Sequence, residues 1–185
     1  MSPDRDAPGG PAPAGRARWS LLIGVAATVL AADQLTKWWA VEVLPGNTIE
    51  VVWTLQLRLA VNYGSAFSVA EGRGALISLL ALVIVAVLLR SGRYATHPLA
   101  ALALGLVVGG AVGNLADRAF RQGDGFLGGG VIDFVDLQWW PIFNLADSAI
   151  VVGAVLLFTS QLRDEADAGQ PSGPTVPAGV EGRPE

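Results

Sequence analysis

The chain has 185 residues, of which 52% are hydrophobic and only 15% charged, too few polar side chains to coat a soluble bundle of apolar helices. It has no cysteine and a single histidine, His97, which excludes disulfides, thiolate catalysis and Cys-ligated metal and argues against a His-built zinc site or a Ser-His-Asp triad. The net charge of −4 owes much to an acidic tail, and no basic, aromatic-interleaved patch points to nucleic acid.

Residues 1–18, rich in Pro, Ala, Gly and Arg, read as a disordered tail, and residues 163–185 read the same way. Between them, 19–162 form one membrane domain whose four apolar runs, about 20–40, 74–90, 98–117 and 145–162, each approach the roughly 20 residues that cross hydrocarbon as a helix. The first run is long for a signal peptide, lacks an Ala-x-Ala exit and ends in Asp33-Gln34-Leu35-Thr36-Lys37, so it is expected to be retained. Arg5, Arg16, Arg18, Arg90, Arg93, Arg163 and Arg183 flank one side of these runs. Arg58, Arg73, Arg118 and Arg121 lie in the other two loops, 41–73 and 118–144, with Lys37 at a helix end. The larger basic set favours both termini in the cytoplasm and those two loops outside.

The first outer loop alternates from Ile49 to Val61, apolar residues at odd positions, which predicts strands and a small sheet at the membrane surface. It ends in Asn62-Tyr63-Gly64-Ser65-Ala66-Phe67, where Gly64 serves either a plain turn or a close backbone approach to a ligand. The second carries a glycine-rich stretch, 122–130, then Val131-Ile132-Asp133-Phe134-Val135-Asp136, also strand-like, and Trp139-Trp140-Pro141 as an interfacial anchor.

Asn-Leu-Ala-Asp occurs twice, at Asn114–Asp117 closing the third helix and Asn144–Asp147 opening the fourth, so both copies reach the outer face. The i,i+3 spacing puts Asn and Asp of each copy on one helix face. Asp33 lies below the same surface. Carboxylates beside hydrocarbon are costly and mark function by default. Asn144 also suits an N-cap, with Asp147 favourable to the helix dipole.

Two carboxylates held close share a proton, and such a pair can hydrolyse an amide: the ionised member takes a proton from water and the protonated member gives one to the carbonyl oxygen. Asp147 is one candidate, and Asp133 and Asp117 compete for the other place. Arg118 beside Asp117 offers a salt bridge that would keep Asp117 ionised and structural, which tilts the choice to Asp133.

These residues resemble a known family. Asp33-Gln34-x-x-Lys37, Asn62-x-Gly64-x-Ala66-Phe67, Gly113-Asn114-x-x-Asp117-Arg118, Val131-Ile132-Asp133-Phe134 and Phe143-Asn144-x-Ala146-Asp147-x-x-Ile150 are similar, in order, to the motifs of bacterial lipoprotein signal peptidase (signal peptidase II). The resemblance implies a four-helix transmembrane bundle with a small extracytoplasmic sheet, in the bacterial plasma membrane. It also implies an aspartyl endopeptidase that cuts diacylglyceryl-modified prolipoproteins on the amino side of the lipidated cysteine, with the site at the extracytoplasmic face. Asp133 and Asp147 match the catalytic aspartates; Asp33, Lys37, Asn62, Gly64, Asn114, Asp117, Arg118 and Asn144 match residues that bind substrate or brace the site. No metal or cofactor is required. Partners would be the prolipoprotein and membrane lipid, with the monomer sufficient. The longer glycine-rich stretch and both tails depart from the pattern. Two rivals are a small carrier or channel subunit using intramembrane Asp residues, and a Ser-Lys peptidase using Lys37 with Ser65 or Ser68.

Overall fold

A computed structural model describes residues 13–64, 74–93, 95, 97–123 and 126–168. Four helices, α1 (Pro13–Val43), α2 (Gly74–Gly92), α3 (Pro98–Phe120) and α4 (Leu145–Ala168), are each long and apolar enough to cross a membrane. Three strands, β1 (Thr48–Val52), β2 (Leu55–Asn62) and β3 (Val131–Asp136), form an antiparallel sheet in the order β1-β2-β3. Four apolar helices joined to a small sheet are what the sequence led us to expect.

The helices outrun their apolar cores. α1 is already helical at Pro13, within the stretch expected to be a tail, and α4 continues through Ala168, past the expected boundary at 162. Gln161, Arg163 and Glu165 are good helix formers, and hydrophobicity delimits the span rather than the helix. Residues 1–12 and 169–185, and with them most of both expected tails, lie outside the described residues.

α3 is the packing hub, set against α1, α2 and α4. Its glycines make this possible: a Cβ at Gly105 would come within 2.8 Å of the Leu22 carbonyl oxygen, and one at Gly109 within 2.7 Å of that of Ala26. Glycine at every fourth position lets α1 and α3 touch backbone to side chain, as small residues do between membrane helices.

The end of α1 carries the sheet. Ala40 and Leu44 pack on Ile132 and Phe134, with Trp39, Leu57 and Leu59 around them. Trp39 and Phe134 meet edge to face, with ring centroids 6.4 Å apart. In β2 and β3 the partners are Ala60 with Asp133 and Val61 with Ile132. Period-two geometry therefore turns Ile132 and Phe134 onto α1 and Asp133 the other way, beside Asn62.

Candidate functional site

The site lies at the sheet end of the bundle, where α3 finishes and α4 begins. Asn144 is the residue before α4, and its Oδ1 accepts the Asp147 backbone N–H at 2.9 Å, while the Asn144 N–H donates to Asp147 Oδ2 at 3.2 Å. This is a reciprocal cap with Asp in the third helical position. The capping role and the site role, alternatives on sequence alone, are fulfilled together. The cap uses the oxygen, and Nδ2 donates to Asp133 Oδ1 at 2.7 Å and Asn114 Oδ1 at 3.0 Å.

Asn114 completes the link. Its Nδ2 donates to Asp147 Oδ1 at 2.8 Å, while its Oδ1 accepts from Lys37 Nζ at 2.9 Å. Asn62 Nδ2 donates to Asp133 Oδ2 at 3.2 Å, and its Oδ1 accepts the Gly64 N–H at 2.9 Å. Gly64 has φ +91°, so a turn accounts for the glycine. The Asp133 carboxyl is pushed up to about 6, first by burial and then by the charge of Asp147, against the two amide bonds that lower it.

Below this pair lies a buried ionic clamp. Lys37, fully enclosed, sits 2.8 Å from Asp33 Oδ2 and 2.9 Å from Asp117 Oδ2, so its three donor protons are all engaged. Each carboxylate in turn holds one element of the site. Asp33 Oδ1 accepts the Ala146 N–H at 3.0 Å, capping α4 from another helix, and Asp117 Oδ2 accepts the Ile132 N–H at 3.1 Å, fixing the strand that carries Asp133. Gly113 makes room for the first of these, since a Cβ there would fall 2.5 Å from Asp33 Oδ2.

One sequence expectation fails. Asp117 does not pair with Arg118; its partners are Lys37 and Arg121, whose Nε lies 2.8 Å from Asp117 Oδ1. Adjacent residues on a helix point in different directions, whereas residues four apart share a face. Arg118 instead lines the cavity with Asp133 and Asp147, and its buried Nη1 has no hydrogen-bond partner among the described residues. Asp117 thus remains a bracing residue, for a reason other than the one expected.

Two bracing residues escaped the sequence reading. Gln34 Nε2 bridges the Gly113 carbonyl oxygen at 3.1 Å and Asp117 Oδ1 at 3.3 Å, and Arg121 is the ion-pair partner just described. The i,i+4 spacing of Asp117 and Arg121 was the available signal. Asp136, the second acid of β3, is taken up structurally: the Gln138 backbone N–H at 2.7 Å and then Arg58, 2.9 Å away, hold its carboxyl below the usual range. Ser65 and Ser68 lie outside the described residues.

A cavity of about 350 Å³ opens on the pair, with Asn62 and Asp133 at the sheet, Asn114 and Arg118 on α3, Asp147 on α4 and Ile84 deep on α2. A volume of this size falls in the range of ligand sites.

Four apolar helices with a carboxylate pair facing a cavity at one end define a multi-pass membrane protein. Residues 25–163 match the family described as signal peptidase (SPase) II, and the chain belongs to that family of membrane proteases. It is 48% identical over 149 residues to the lipoprotein signal peptidase of Rhodococcus jostii (strain RHA1), covering 80% of this chain and 75% of that one. Identity to the lipoprotein signal peptidase of Mycobacterium avium (strain 104) is 45% over 142 residues, 76% and 78% of the two chains. Two solved structures, both titled as bacterial membrane enzymes studied by the in meso method, superpose with TM-scores of 0.69 and 0.67. Their identities are 26% and 27%; they cover 81% and 77% of this chain, and 92% and 93% of their own.

Proposed function

We propose that the protein removes signal peptides from diacylglyceryl-modified prolipoproteins, with Asp133 and Asp147 as the catalytic pair. The observation that carries this reading is the joint orientation of the two carboxylates: both line one cavity, and Asn144 and Asn114 tie them together. Curated relatives named for lipoprotein processing support the substrate class.

With its raised affinity for protons, Asp133 is the acid and Asp147 the base. Asp147 takes a proton from water as the oxygen adds to the carbonyl carbon, and Asp133 gives its proton to the carbonyl oxygen. The diol then collapses: the proton held by Asp147 passes to the cysteine nitrogen as the C–N bond breaks, and one hydroxyl proton returns to Asp133. The products are a signal-peptide carboxyl group and a free cysteine amine, with the pair restored. Asn114 and Asn144 hold the carboxylates in register; Asp33, Lys37, Gln34, Asp117 and Arg121 hold their supports.

The Lys/Arg distribution supports cytoplasmic termini and a site at the outer face of the bacterial plasma membrane. The whole arrangement comes from one chain, which supports a functional monomer, and the grooves between helices suit membrane lipid. An ion path is less apt, because Lys37 and Arg121 together already pair with Asp33 and Asp117.

The test is cleavage of one precursor with and without diacylglyceryl on its cysteine, in vesicles containing the purified protein. The modified precursor should be cut and the unmodified one left intact. Equal cleavage of both would defeat the lipoprotein reading.

A further inference from the structure

Asp147 belongs to two cavities. Besides the one it shares with Asp133, it lines a second, of about 470 Å³, formed by Trp139, Trp140 and Phe143 from the β3–α4 connection and by Ser148, Val151 and Val152 along α4. A substrate cut here carries two apolar parts, one on each side of the scissile bond: a signal helix before it and two acyl chains after it. We propose that the two cavities divide these parts, the Trp139–Trp140 cavity receiving the diacylglyceryl group and the α2–α3–α4 cavity the signal helix. This assignment rests on the lipoprotein-processing reading above.

Shape and chemistry both favour it over the reverse. Along α3 the first cavity runs from Val107 to Arg118, about 16 Å at the helical rise, and on α2 it is walled by Ile77, Ala81 and Ile84. That i,i+4,i+7 stripe is the face another apolar helix packs against, and α2 continues it with exposed Leu80 and Val87. The second cavity is shallow, extending only from Asp147 to Val152 along α4, about 8 Å. Its indoles, Trp139 at 71% and Trp140 at 59% exposure, are the side chains that settle at a membrane interface, where the glycerol ester level lies. Among the described residues no Lys or Arg lines it, so it suits a neutral glycerol diester better than a phosphate headgroup. Below it Val151, Val155 and Phe158 are exposed on α4 and give acyl chains a path into the bilayer.

The test uses the full chain in vesicles and two precursors with the same signal sequence, one bearing dipalmitoylglyceryl and the other dibutyrylglyceryl cysteine. Val152→Trp, which fills the second cavity, should lower the ratio of kcat/KM for the long-chain over the short-chain precursor by about tenfold. Ala81→Trp, which fills the first, should slow both and leave the ratio as in the unmodified protein. An unchanged ratio in Val152→Trp, or a lost preference in Ala81→Trp, overturns the assignment. A photoreactive acyl chain on the precursor gives a readout in the unsubstituted protein: labelling within 137–152 supports the assignment, and labelling of 77–84 overturns it. Cleavage of neither precursor by the unsubstituted protein would instead defeat the proteolytic reading itself, which is thereby distinguished from failure of the division.

Discussion

Asn144 donates through Nδ2 to Asp133 Oδ1 at 2.7 Å while its Oδ1 caps the helix that carries Asp147. One amide therefore sets the relative position of the two carboxylates, and its two ends can be separated by mutation. Asn144→Ser keeps a capping oxygen but loses the amide NH2 that reaches Asp133; it should lower cleavage by about a hundredfold, the scale of one lost preorganised donor at a reacting centre, with little change in melting temperature. Asn144→Ala should lose about 1 kcal/mol of stability in addition. Melting curves in detergent beside initial rates distinguish the two.

The raised proton affinity of Asp133 fixes the sign of the pH dependence. With its carboxyl near 6, the acid form is lost as pH rises, so kcat/KM should fall above about pH 6 by roughly a decade per unit, as an apparent value of the coupled pair. The hydrogen bond from Asn62 favours the ionised form; its removal in Asn62→Ala should raise the Asp133 value further and move the alkaline limb upward. A limb that moves downward, read from rates across pH, would contradict this account.

Lys37 is a structural cation here. Replacing it by Met leaves Asp33 and Asp117 buried beside each other without their shared counter-charge, a loss on the order of 3–5 kcal/mol, and the variant should fail to accumulate in the membrane. A Lys37→Met protein that inserts and melts normally but does not cleave would favour a Ser-Lys mechanism instead.

Gly113→Ala tests the clamp from the other side. The new Cβ would press on Asp33 Oδ2 and Cγ, at 2.5 and 3.1 Å, and push the carboxylate from the Ala146 N–H. The expected cost is about 1–3 kcal/mol in detergent unfolding, with cleavage reduced as the start of α4 shifts.

The sequence exposed much of this because membrane helices and half-buried strands carry strong periodic signals. The four spans and the strands near 49–61 and 131–135 follow from hydropathy and alternation, and the doubled Asn-Leu-Ala-Asp brings Asn114, Asn144 and Asp147 to one face with Asp133 from the stretch between the copies; Asn62 entered only through the family resemblance. Partner choice was less legible. Adjacency suggested Arg118 for Asp117, whereas helix geometry selects Arg121 and the fold brings Lys37 from another helix. The trans cap from Asp33 to Ala146, like the division of labour within the Asn144 amide, depends on contacts between elements far apart in the chain. The ends of α1 and α4 were hidden because helix-forming polar residues carry each helix past its apolar run.

The central claim is that Asp133 and Asp147 share the chemistry, and the most direct measurement is single-site replacement by the isosteric amide. Asp133→Asn and Asp147→Asn, purified from membranes in folded form, should each show no cleavage of a diacylglyceryl-modified precursor above background. Full cleavage by either variant would contradict the pair.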